Sequence, residues 1–546
     1  MLTLALAALL AAHPSPHNSP TDADVAAEAR RIVASGQLAG MRWPRITDVR
    51  TSADSLYASA GGLPLWVRDG RPTPAARAMV AALGDADARG LDPQDYDAAR
   101  LDSLGGALAA GTTATSLASF DAMLTADALR YVSALSRGRI NPTLAHADFR
   151  LPRSAADVTG AVSALTLSTE PDSIITAMEP GFLHYQLLKR SLADYRRLAR
   201  DSGLLPLPPL PRRLAPGDPY AGAMQLRRLL TALGDMVDSV APVVTPDSVY
   251  GADLEAGVRH FQQRQGFAVD GIIGDSTAAR LGRSFDQRIR QIELTLERWR
   301  WLPRQFSAPP IIVNVPSFRL HAFSTMSDDE ASLLSMNVVV GQAFKTETPV
   351  FAADMTYLVF SPYWDAPASI MRKEIRPKAM ANAGWLARNH MQLLRGGTVV
   401  PATPENIADI GGAVRARQTP GSWNSLGRVK FILPNAQAIY LHDTPAKTLF
   451  DQARRDFSHG CVRLSDPPAL ARFVLRDQPA WTADRIAAAM AADTPTTVTL
   501  SHPIPVLIVY GTAVARENGE IFFYGDIYGH DRTLNQLLQK GYPYPR

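Results

Sequence analysis

The chain has one cysteine, Cys461, which lies in the segment 458–464, SHGCVRL. A cysteine nucleophile needs a neighbouring base that removes the thiol proton, and hydrogen-bond donors that stabilise negative charge on the attacked oxygen. His442, in the segment 440–445, YLHDTP, is the candidate base because it follows an apolar strand-like run that could hold its ring rigidly. Residues 447–457 are numerous enough for a helix that returns toward this strand. We therefore expect Cys461 to approach His442.

The donors for the attacked oxygen are expected next to the nucleophile. Gly460 allows a tight backbone conformation, so the amides of Gly460 and Cys461 could face a substrate carbonyl oxygen. The alternative for Cys461 is a small buried hydrophobe, which the polar neighbours Ser458, His459 and Arg463 argue against. A zinc site is disfavoured as well, because one cysteine and two nearby histidines lack a further ligand at a recognisable spacing.

The composition describes a globular protein of several units. Its 546 residues suffice for about three or four domains of ordinary size, and 46% are hydrophobic while 20% are charged. The 56 basic and 52 acidic residues give a net charge of +4, without a long run of like charges. This charge does not indicate a nucleic-acid partner. It is compatible with weak attraction to anionic polymers of the cell envelope.

The N-terminus begins with the apolar run MLTLALAALLAA, which is too short to span a bilayer. It is typical of the core of a secretory signal peptide, although no lysine or arginine precedes it, and we assign residues 1–20 to such a signal. A frayed apolar N-terminus is the alternative. We expect an exported protein whose membrane contact is limited to this segment, if it is retained. A lone cysteine excludes an intrachain disulfide, and outside the cytosol such a thiol is usually absent unless it is used.

Residues 22–204 are predicted to form a helical scaffold. Alanine, leucine and arginine are frequent there, and apolar residues recur at helical spacing, as at Met79 and Leu83. Breaks containing glycine and proline interrupt the pattern, and no catalytic cluster stands out. The prolines of residues 205–216 predict a stiff, extended linker.

A small three-helix unit is predicted over residues 217–284. Asp253 can cap a helix whose apolar stripe consists of Leu254, Val258 and Phe261, and which stops at Gly266. A tight Asp-Gly turn then precedes a further helix.

Two segments of this unit resemble the peptidoglycan-binding domain family. They are residues 257–267, GVRHFQQRQGF, and residues 270–277, DGIIGDST. The resemblance implies three short helices around an Asp-Gly turn, with the apolar stripe in the core and not in contact with a ligand.

Residues 310–512 are predicted to form a β-rich domain, so the fold class is multidomain α+β. A linking helix at 285–309 precedes this domain, and a C-terminal hairpin and tail at 513–546 follow it. The less strand-like stretch 379–424 is an insertion that could cap the site or form a passive surface loop. The strand predictions rest on β-branched and aromatic runs at 311–315, 336–340, 357–360, 430–433, 438–441 and 503–510.

The segments around Cys461 and His442 resemble the L,D-transpeptidase catalytic family, whose signature is a histidine upstream of Ser/Thr-His/Ser-Gly-Cys-x-Arg/Asn. The likeness is greatest to the large Gram-negative subfamily with a peptidoglycan-binding domain and a capping insertion. That subfamily often has serine in place of His459, so this residue could support the oxyanion or serve the structure. Further agreement comes from WDAPASIMRKEIRPK at 364–378, NSLGRVKF at 424–431 and PIPVLIVY at 503–510.

The resemblance implies a mechanism. Cys461 would attack the carbonyl between the third residue and the D-Ala of a tetrapeptide stem. His442, oriented by the backbone carbonyl of Asp443, would take the thiol proton and pass one to the departing amine. Tyr440 and the Cys461 amide would stabilise the oxyanion. A side-chain amine of a second stem would then take the acyl group and form a 3→3 cross-link.

The resemblance also suggests residues and molecules that surround the reaction. Arg463 would anchor the motif or a substrate carboxylate, and a structural ion pair is an equal alternative. Tyr363, Trp364 and Asn424 are expected to border the substrate groove, although aromatic residues after a strand are more often core. Peptidoglycan stem peptides and glycan are the expected partners. No cofactor and no metal are expected, and carbapenems would acylate Cys461.

Two other functions are compatible with the same residues. A cysteine hydrolase or carboxypeptidase could act on the stems, since water can replace the acceptor amine. Many such enzymes place the cysteine before the histidine, whereas here His442 precedes Cys461. A non-catalytic wall-binding scaffold is the second alternative, and the intact set of His442, Gly460, Cys461 and Arg463 argues against it.

Overall fold

A computed structural model describes residues 20–109, 111–147, 149, 156–236, 248–325 and 333–540. The chain divides into two compact units. The first comprises Met1–Arg139, Ala155–Glu179 and Lys540–Arg546, and the second comprises Ile140–Ser154 and Pro180–Gln539. The expected signal peptide lies outside the described residues, apart from Pro20. In the part of the chain that is described, no helix has both the length and the apolar character needed to cross a membrane.

The first unit is helical, as the composition of residues 22–204 predicts. Its long central helix, Ala114–Arg137, is buried along most of its length, and its Asp121 carboxylate accepts hydrogen bonds from the Tyr57 hydroxyl and the Trp66 amide, both at 2.6 Å. Two short strands, β1 (Val67–Arg68) and β2 (Arg71–Pro72), pair antiparallel. The other helices are Asp22–Ala34, Arg50–Ser59, Pro74–Gly84, Ala98–Ala107, Val158–Leu165 and Asp172–Met178, with 3-10 turns at Ala86–Arg89 and Pro93–Tyr96.

The second unit begins with helices that support its later domains. Helix Leu183–Ala199, which we assigned to the scaffold, packs in this unit against helix Phe285–Trp299. Arg196 and Glu293 form an ion pair of 3.1 Å between them. The remaining helices outside the two domains described next are Pro142–Ala145 and His530–Leu538.

The predicted three-helix unit is present, with helices Ala223–Ala232, Ala252–Gln265 and Asp275–Leu281 and the paired strands β3 (Arg213–Leu214) and β4 (Ile273–Gly274). The apolar stripe on its second helix is buried.

Asp253 is not the cap of that second helix, so this expectation is wrong. Gly251 occupies the cap, and the Asp253 carboxylate accepts a hydrogen bond of 3.0 Å from Arg227 Nε. Gly266, with φ +69°, ends the helix as expected. The Gln262 side chain binds both Asp270 Oδ1 and the Gly271 amide, which fixes the Asp-Gly turn.

The region after Pro310 is rich in strands, as predicted. In chain order these are β5 (Ile311–Asn314), β6 (Arg319–Phe323), β7 (Leu333–Gly341), β8 (Phe351–Phe360), β9 (Trp364–Asp365), β10 (Met391–Arg395), β11 (Thr398–Val400), β12 (Val414–Gln418), β13 (Val429–Ile432), β14 (Tyr440–His442), β15 (Asp456–Ser458), β16 (Val462–Leu464), β17 (Thr496–Val509), β18 (Ala513–Ala515) and β19 (Ile521–Phe523). Strands β18 and β19 form the expected hairpin. Helices Pro467–Val474 and Ala483–Ala491 connect β16 to β17.

Nine of these strands form the main sheet, in the order β15-β7-β16-β14-β13-β8-β17-β5-β6, and β6 also pairs with β7. This last pairing closes eight of the strands, all except β15, into a ring without an open edge, and β15 pairs with β7 outside the ring. Side chains alternate between the inside and the outside of the ring. The inner positions form a fully buried apolar core that includes Val313, Leu320, Val338, Leu441 and Val462.

The insertion differs from our expectation of a less strand-like segment over 379–424. Strands β9 to β12 form a separate four-stranded sheet in the order β11-β10-β12-β9, so the insertion already begins at Trp364. Short helical segments at Ala368–Ile370, Met371–Ile375, Arg376–Ala381, Gly384–Arg388 and Pro404–Ala408 accompany the sheet. An apolar core of its own, which includes Met371, Ile375, Leu393 and Ile407, makes the insertion a compact subdomain.

The connection from His442 to Cys461 is also different from the expected helix. Only Lys447–Asp451 forms a 3-10 turn, and the chain then extends into β15, which pairs in parallel with β7. The chain therefore returns to the main sheet toward Cys461 by pairing β15 with β7, and not through a helix.

Candidate active site

The candidate active site lies on β14 and β16, two short parallel strands on the ring. Their register pairs His442 with Arg463. Because the strands run in the same direction, Cys461, two residues before Arg463, lies beside Tyr440, two residues before His442. The predicted nucleophile and base are therefore brought to neighbouring strands.

The imidazole of His442 is held by the backbone. Its Nδ1 lies 2.5 Å from the carbonyl oxygen of Asp443. A carbonyl can only accept, so Nδ1 carries the hydrogen and Nε2 keeps the lone pair that a base requires. Burial, together with the charge of Arg463, lowers the pKa of His442 to about 3. The imidazole of His442 is thus uncharged at neutral pH.

The side chain of Asp443 does not orient the imidazole but fixes the backbone that does. One carboxylate oxygen accepts from the Arg428 amide at 2.8 Å, and the other accepts from the Thr444 amide and Lys447 Nζ, both at 2.7 Å. Gly427 has φ +59°, and a Cβ at that position would meet the Asp443 carboxyl at 2.3 Å. Only glycine therefore allows the close packing that secures this carboxylate.

The thiol of Cys461 lies in a half-buried position on the outside of the ring. Its Sγ contacts the Ala438 carbonyl oxygen at 3.9 Å, and the described residues show no hydrogen bond between this thiol and His442. Burial raises the pKa of the thiol, while hydrogen bonds from the Tyr440 amide and side chain and the charge of Arg463 partly oppose that rise. Burial also raises the pKa of the Tyr440 hydroxyl, which therefore keeps its proton. Both members of the Cys461–His442 pair are neutral at rest.

The turn before Cys461 depends on Gly460, which has φ +111°, a backbone conformation open to glycine. Our expectation that its amide faces a substrate carbonyl is wrong, because this amide donates to Ser458 Oγ at 3.1 Å. The Ser458 hydroxyl in turn donates to the Cys461 carbonyl at 2.5 Å. Gly460 thus shapes the turn, and its amide is already occupied.

A buried network holds this turn from behind. The Thr348 hydroxyl donates to the Gly460 carbonyl at 2.7 Å and accepts from the Gly341 amide at 2.8 Å. The Tyr528 hydroxyl donates to the Gly341 carbonyl at 2.6 Å and accepts from the Thr348 amide at 3.2 Å. These contacts connect the turn to the end of β7 and to the C-terminal region.

Arg463 lies beside His442 without an ion-pair partner among the described residues. Its Nε is buried and has no hydrogen-bond partner there. Burial lowers the pKa of this guanidinium, and the Cys461 thiol is the group that opposes the shift. The described residues therefore show no ion pair for Arg463, and its role beside a substrate carboxylate stays an expectation.

His459 points to the insertion. Its Nε2 lies 2.9 Å from Glu374 Oε1, and both side chains are about half exposed. His459 was expected either to support the oxyanion or to serve the structure, and the contact observed is structural. It joins the turn before Cys461 to the π-helical segment Met371–Ile375 of the insertion.

The three expected groove residues occupy different surroundings. Asn424 is fully buried, and its side-chain amide donates to the Pro362 and Thr419 carbonyls at 3.0 and 2.9 Å while its oxygen accepts from the Leu426 amide. It therefore clamps a loop, and the substrate-contact expectation for Asn424 is wrong.

The two aromatic residues of that set lie at the base of the insertion. Trp364, in β9, pairs with Gln418 and packs against the apolar core of the insertion. Tyr363 is half-buried, and the guanidinium of Arg417 stacks on its ring at 4.8 Å from the centroid. That Tyr363 and Trp364 border the substrate groove stays a prediction.

Sequence analysis missed several residues that shape the site. Asn435 binds the Ile439 amide at 3.0 Å and the Ile439 carbonyl at 2.7 Å, which forms the turn before β14. The Pro-Asn pair at 434–435 is a turn signal that could have revealed it. Thr348 and Tyr528 carry no such signal, because their partners are distant in the chain.

Matches to family models agree with this architecture. A scaffold domain matches residues 51–192, a "Putative peptidoglycan binding domain" matches residues 221–281, and an L,D-transpeptidase catalytic domain matches residues 309–500. Along the chain, a helical scaffold domain is therefore followed by a peptidoglycan-binding domain and then an L,D-transpeptidase catalytic domain.

A curated relative points the same way. The chain is 32% identical over 249 residues to a "Putative L,D-transpeptidase" of Haemophilus influenzae, a match that covers 45% of this chain and 49% of the relative. The matched stretch thus spans about half the length of that relative. A solved fused Zn-dependent amidase/peptidase/peptidoglycan-binding protein of Clostridium acetobutylicum is 13% identical, with 55% of this chain and 100% of that chain covered. The TM-score of this match is 0.16.

Proposed function

We propose that the protein is an L,D-transpeptidase that forms 3→3 cross-links in peptidoglycan through a thioester on Cys461. The observation that carries the proposal is the pairing of β14 with β16. The pairing brings Cys461, the residue directly before β16, close to His442, whose Nε2 is free of hydrogen and can act as a base. Both residues lie within residues 309–500, which match the L,D-transpeptidase catalytic domain.

The first half-reaction acylates the enzyme. As the Cys461 sulfur attacks the carbonyl between the third residue and the D-Ala of a tetrapeptide stem, the thiol proton passes to His442 Nε2. The tetrahedral intermediate collapses, the peptide bond breaks, and the D-Ala amine leaves with the proton from His442. A thioester between the stem and Cys461 remains.

The second half-reaction transfers the acyl group. A side-chain amine of a second stem attacks the thioester carbonyl and gives its proton to His442. Collapse of that intermediate forms the new amide bond and returns the proton to the Cys461 sulfur. Burial disfavours the charged forms of both Cys461 and His442, so the proposal starts from a neutral thiol and a neutral imidazole.

In this proposal, two further groups serve these steps. The Tyr440 hydroxyl keeps its proton and contacts the thiol, so it can donate to the oxyanion together with the Cys461 amide. The guanidinium of Arg463, two residues after Cys461, would bind a carboxylate of the substrate. Three further residues support the site. Gly460 shapes the turn before Cys461, and the backbone carbonyl of Asp443 orients the imidazole of His442. His459 joins the turn to the insertion through Glu374.

The peptidoglycan-binding domain supports stem peptides and glycan as partners, and an enzyme with these partners acts in the cell envelope. A periplasmic location after export by a signal peptide at 1–20, and carbapenem acylation of Cys461, belong to the same proposal. The domain boundaries proposed are 22–204, 205–216, 217–284, 285–309, 310–512 and 513–546.

The test is mass spectrometry of wall fragments bearing tetrapeptide stems, incubated with the wild-type protein and with a Cys461→Ala variant. We expect cross-linked dimers that have lost D-Ala, formed only by the wild type. Loss of D-Ala without dimers would instead indicate the hydrolase, and no change in either sample would contradict the proposal.

A further inference from the structure

Cationic residues occupy the strands on both sides of His442. Lys430, in β13, pairs with His442 in β14, and His442 pairs with Arg463 in β16. Paired residues of adjacent strands point to the same face of a sheet, with Cβ atoms about 4.5–5.5 Å apart in an antiparallel pair. The next residues along these strands, which point the other way, are fully buried inside the ring. Lys430 and Arg463 therefore flank His442 on the outer face of the ring.

The ammonium of Lys430 is available to a ligand. Lys430 is half-buried, and the described residues give its Nζ no hydrogen bond and no ion pair. Unlike Arg463 Nε, this Nζ is not one of the buried nitrogen atoms without a partner, so protein does not enclose it. Burial lowers the pKa of Lys430, Asp365 opposes the shift, and Arg417 adds to it. An anion at Nζ would stabilise the charged form.

The carboxylates near Lys430 have other partners. Asp365 accepts a hydrogen bond of 2.7 Å from Arg417 Nε. Asp443 accepts from two backbone amides and from Lys447 Nζ. Neither carboxylate forms an ion pair with Lys430, so this face carries a surplus of positive charge at the lysine.

The proposed reaction brings a carboxylate to the same imidazole. His442 Nε2 gives a proton to the departing D-Ala amine, so Nε2 and that nitrogen lie within hydrogen-bond reach of each other. The D-Ala is the last residue of the tetrapeptide donor, so its carboxyl group is free and is bonded to the carbon that carries the amine. This carboxylate therefore comes close to His442 and to the cations beside it.

We propose that Lys430 is a specificity-determining residue that binds the terminal carboxylate of the donor stem. The inference rests on the proposed function and adds a choice of substrate to it. A stem that ends in a free carboxylate is favoured, and a stem of the same length with a neutral end is not. The contact is an ionic hydrogen bond from Lys430 Nζ to the carboxylate of the D-Ala that leaves.

The test compares two tetrapeptide donors that differ only at their end, one with D-Ala and one with D-Ala amide. Mass spectrometry follows the release of D-Ala or of its amide at limiting donor and with an acceptor stem, which gives kcat/KM for each donor. Lys430→Met removes the ammonium and keeps most of the apolar side chain. Lys540→Met, at an exposed position after the C-terminal helix, is the matched control. Thermal unfolding checks that each variant is folded.

We expect Lys430→Met to lower the ratio of kcat/KM for the acid donor to that for the amide donor by about tenfold to a hundredfold, because a hydrogen bond to a charged acceptor is lost. Lys540→Met should keep the ratio of the wild type. The amide donor should react at a similar rate with all three proteins, because it has no charge for Lys430 to bind.

Three results would overturn the role of Lys430 and leave the proposed function intact. They are equal kcat/KM for the two donors in the wild type, an unchanged ratio in Lys430→Met, and an equal loss of both activities in that variant. Release from neither donor by the wild type would contradict the proposed function, and the inference would fall with it.

Discussion

The hydroxyl of Thr348 donates a hydrogen bond of 2.7 Å to the carbonyl of Gly460, the residue before the proposed nucleophile. Thr348 is fully buried and lies more than a hundred positions earlier in the chain. The same hydroxyl accepts from the Gly341 amide, so it joins the end of β7 to the turn that presents Cys461. We therefore regard Thr348 as a positioning residue.

Replacing Thr348 by valine keeps the shape and removes both hydrogen bonds. We expect kcat of the transpeptidation to fall by about tenfold to a hundredfold with little change in KM, because the turn and not the substrate contacts would be displaced. Thr348→Ser should restore most of the rate. A parallel loss of kcat and folded protein, or no rescue by serine, would contradict positioning through the hydroxyl.

The buried His442 should make the protein sensitive to acid. Its pKa is lowered from an ordinary 6.5 to about 3, so between these pH values the unfolded chain binds a proton that the folded chain does not. The free energy of unfolding therefore falls as the pH falls through this window. A His442→Gln variant lacks this contribution and should lose less stability between pH 7.5 and 4.5, by about 1–3 kcal/mol.

Denaturant unfolding of wild type and His442→Gln at the two pH values measures this difference. Other buried histidines, such as His146 and His321, remain in both proteins and cancel in the comparison. The same pH dependence in both proteins would show that His442 is not held neutral by burial. The variant should be inactive in the cross-linking assay, since it has no base.

The thiol of Cys461 should be unreactive at neutral pH in the absence of substrate. Burial raises its pKa above the ordinary 9.0, so the rate of alkylation by iodoacetamide should rise with pH through a midpoint above about 9. Tyr440→Phe should raise that midpoint further, because a stabilising hydrogen bond is lost. His442→Gln should leave it unchanged. A midpoint near 7 in the wild type would indicate a resting thiolate–imidazolium pair instead.

The contact between His459 and Glu374 predicts a modest coupling between the turn and the insertion. An ion pair or hydrogen bond between half-exposed side chains contributes about 0.2–1 kcal/mol, so a double-mutant cycle of His459→Ala and Glu374→Ala on kcat/KM should give a coupling of at most about fivefold. If His459 instead supported the oxyanion, its single replacement would lower kcat by about a hundredfold or more while Glu374→Ala did not.

Much of the site could be predicted from local sequence. Cys461, His442 and the Asp443 carbonyl lie within two short segments, and their chemistry depends on neighbouring backbone atoms. Two donors, the backbone amide of Gly460 and the side-chain amide of Asn424, were misassigned because a hydrogen-bond donor can face substrate or protein, and sequence does not reveal which. Their partners, Ser458 Oγ and the Pro362 and Thr419 carbonyls, decide that choice.

The helices of the first unit, the three-helix unit and the strand-rich region follow from composition and periodicity, because these are properties of consecutive residues. The sequence by itself also indicated the proposed nucleophile, Cys461, and its proposed base, His442. Closure of the ring by β6 and β7, the sheet within the insertion, the Thr348 contact and the His459–Glu374 contact were decided by tertiary structure alone. Each depends on register or contact between residues far apart in the chain, where local preferences carry no information.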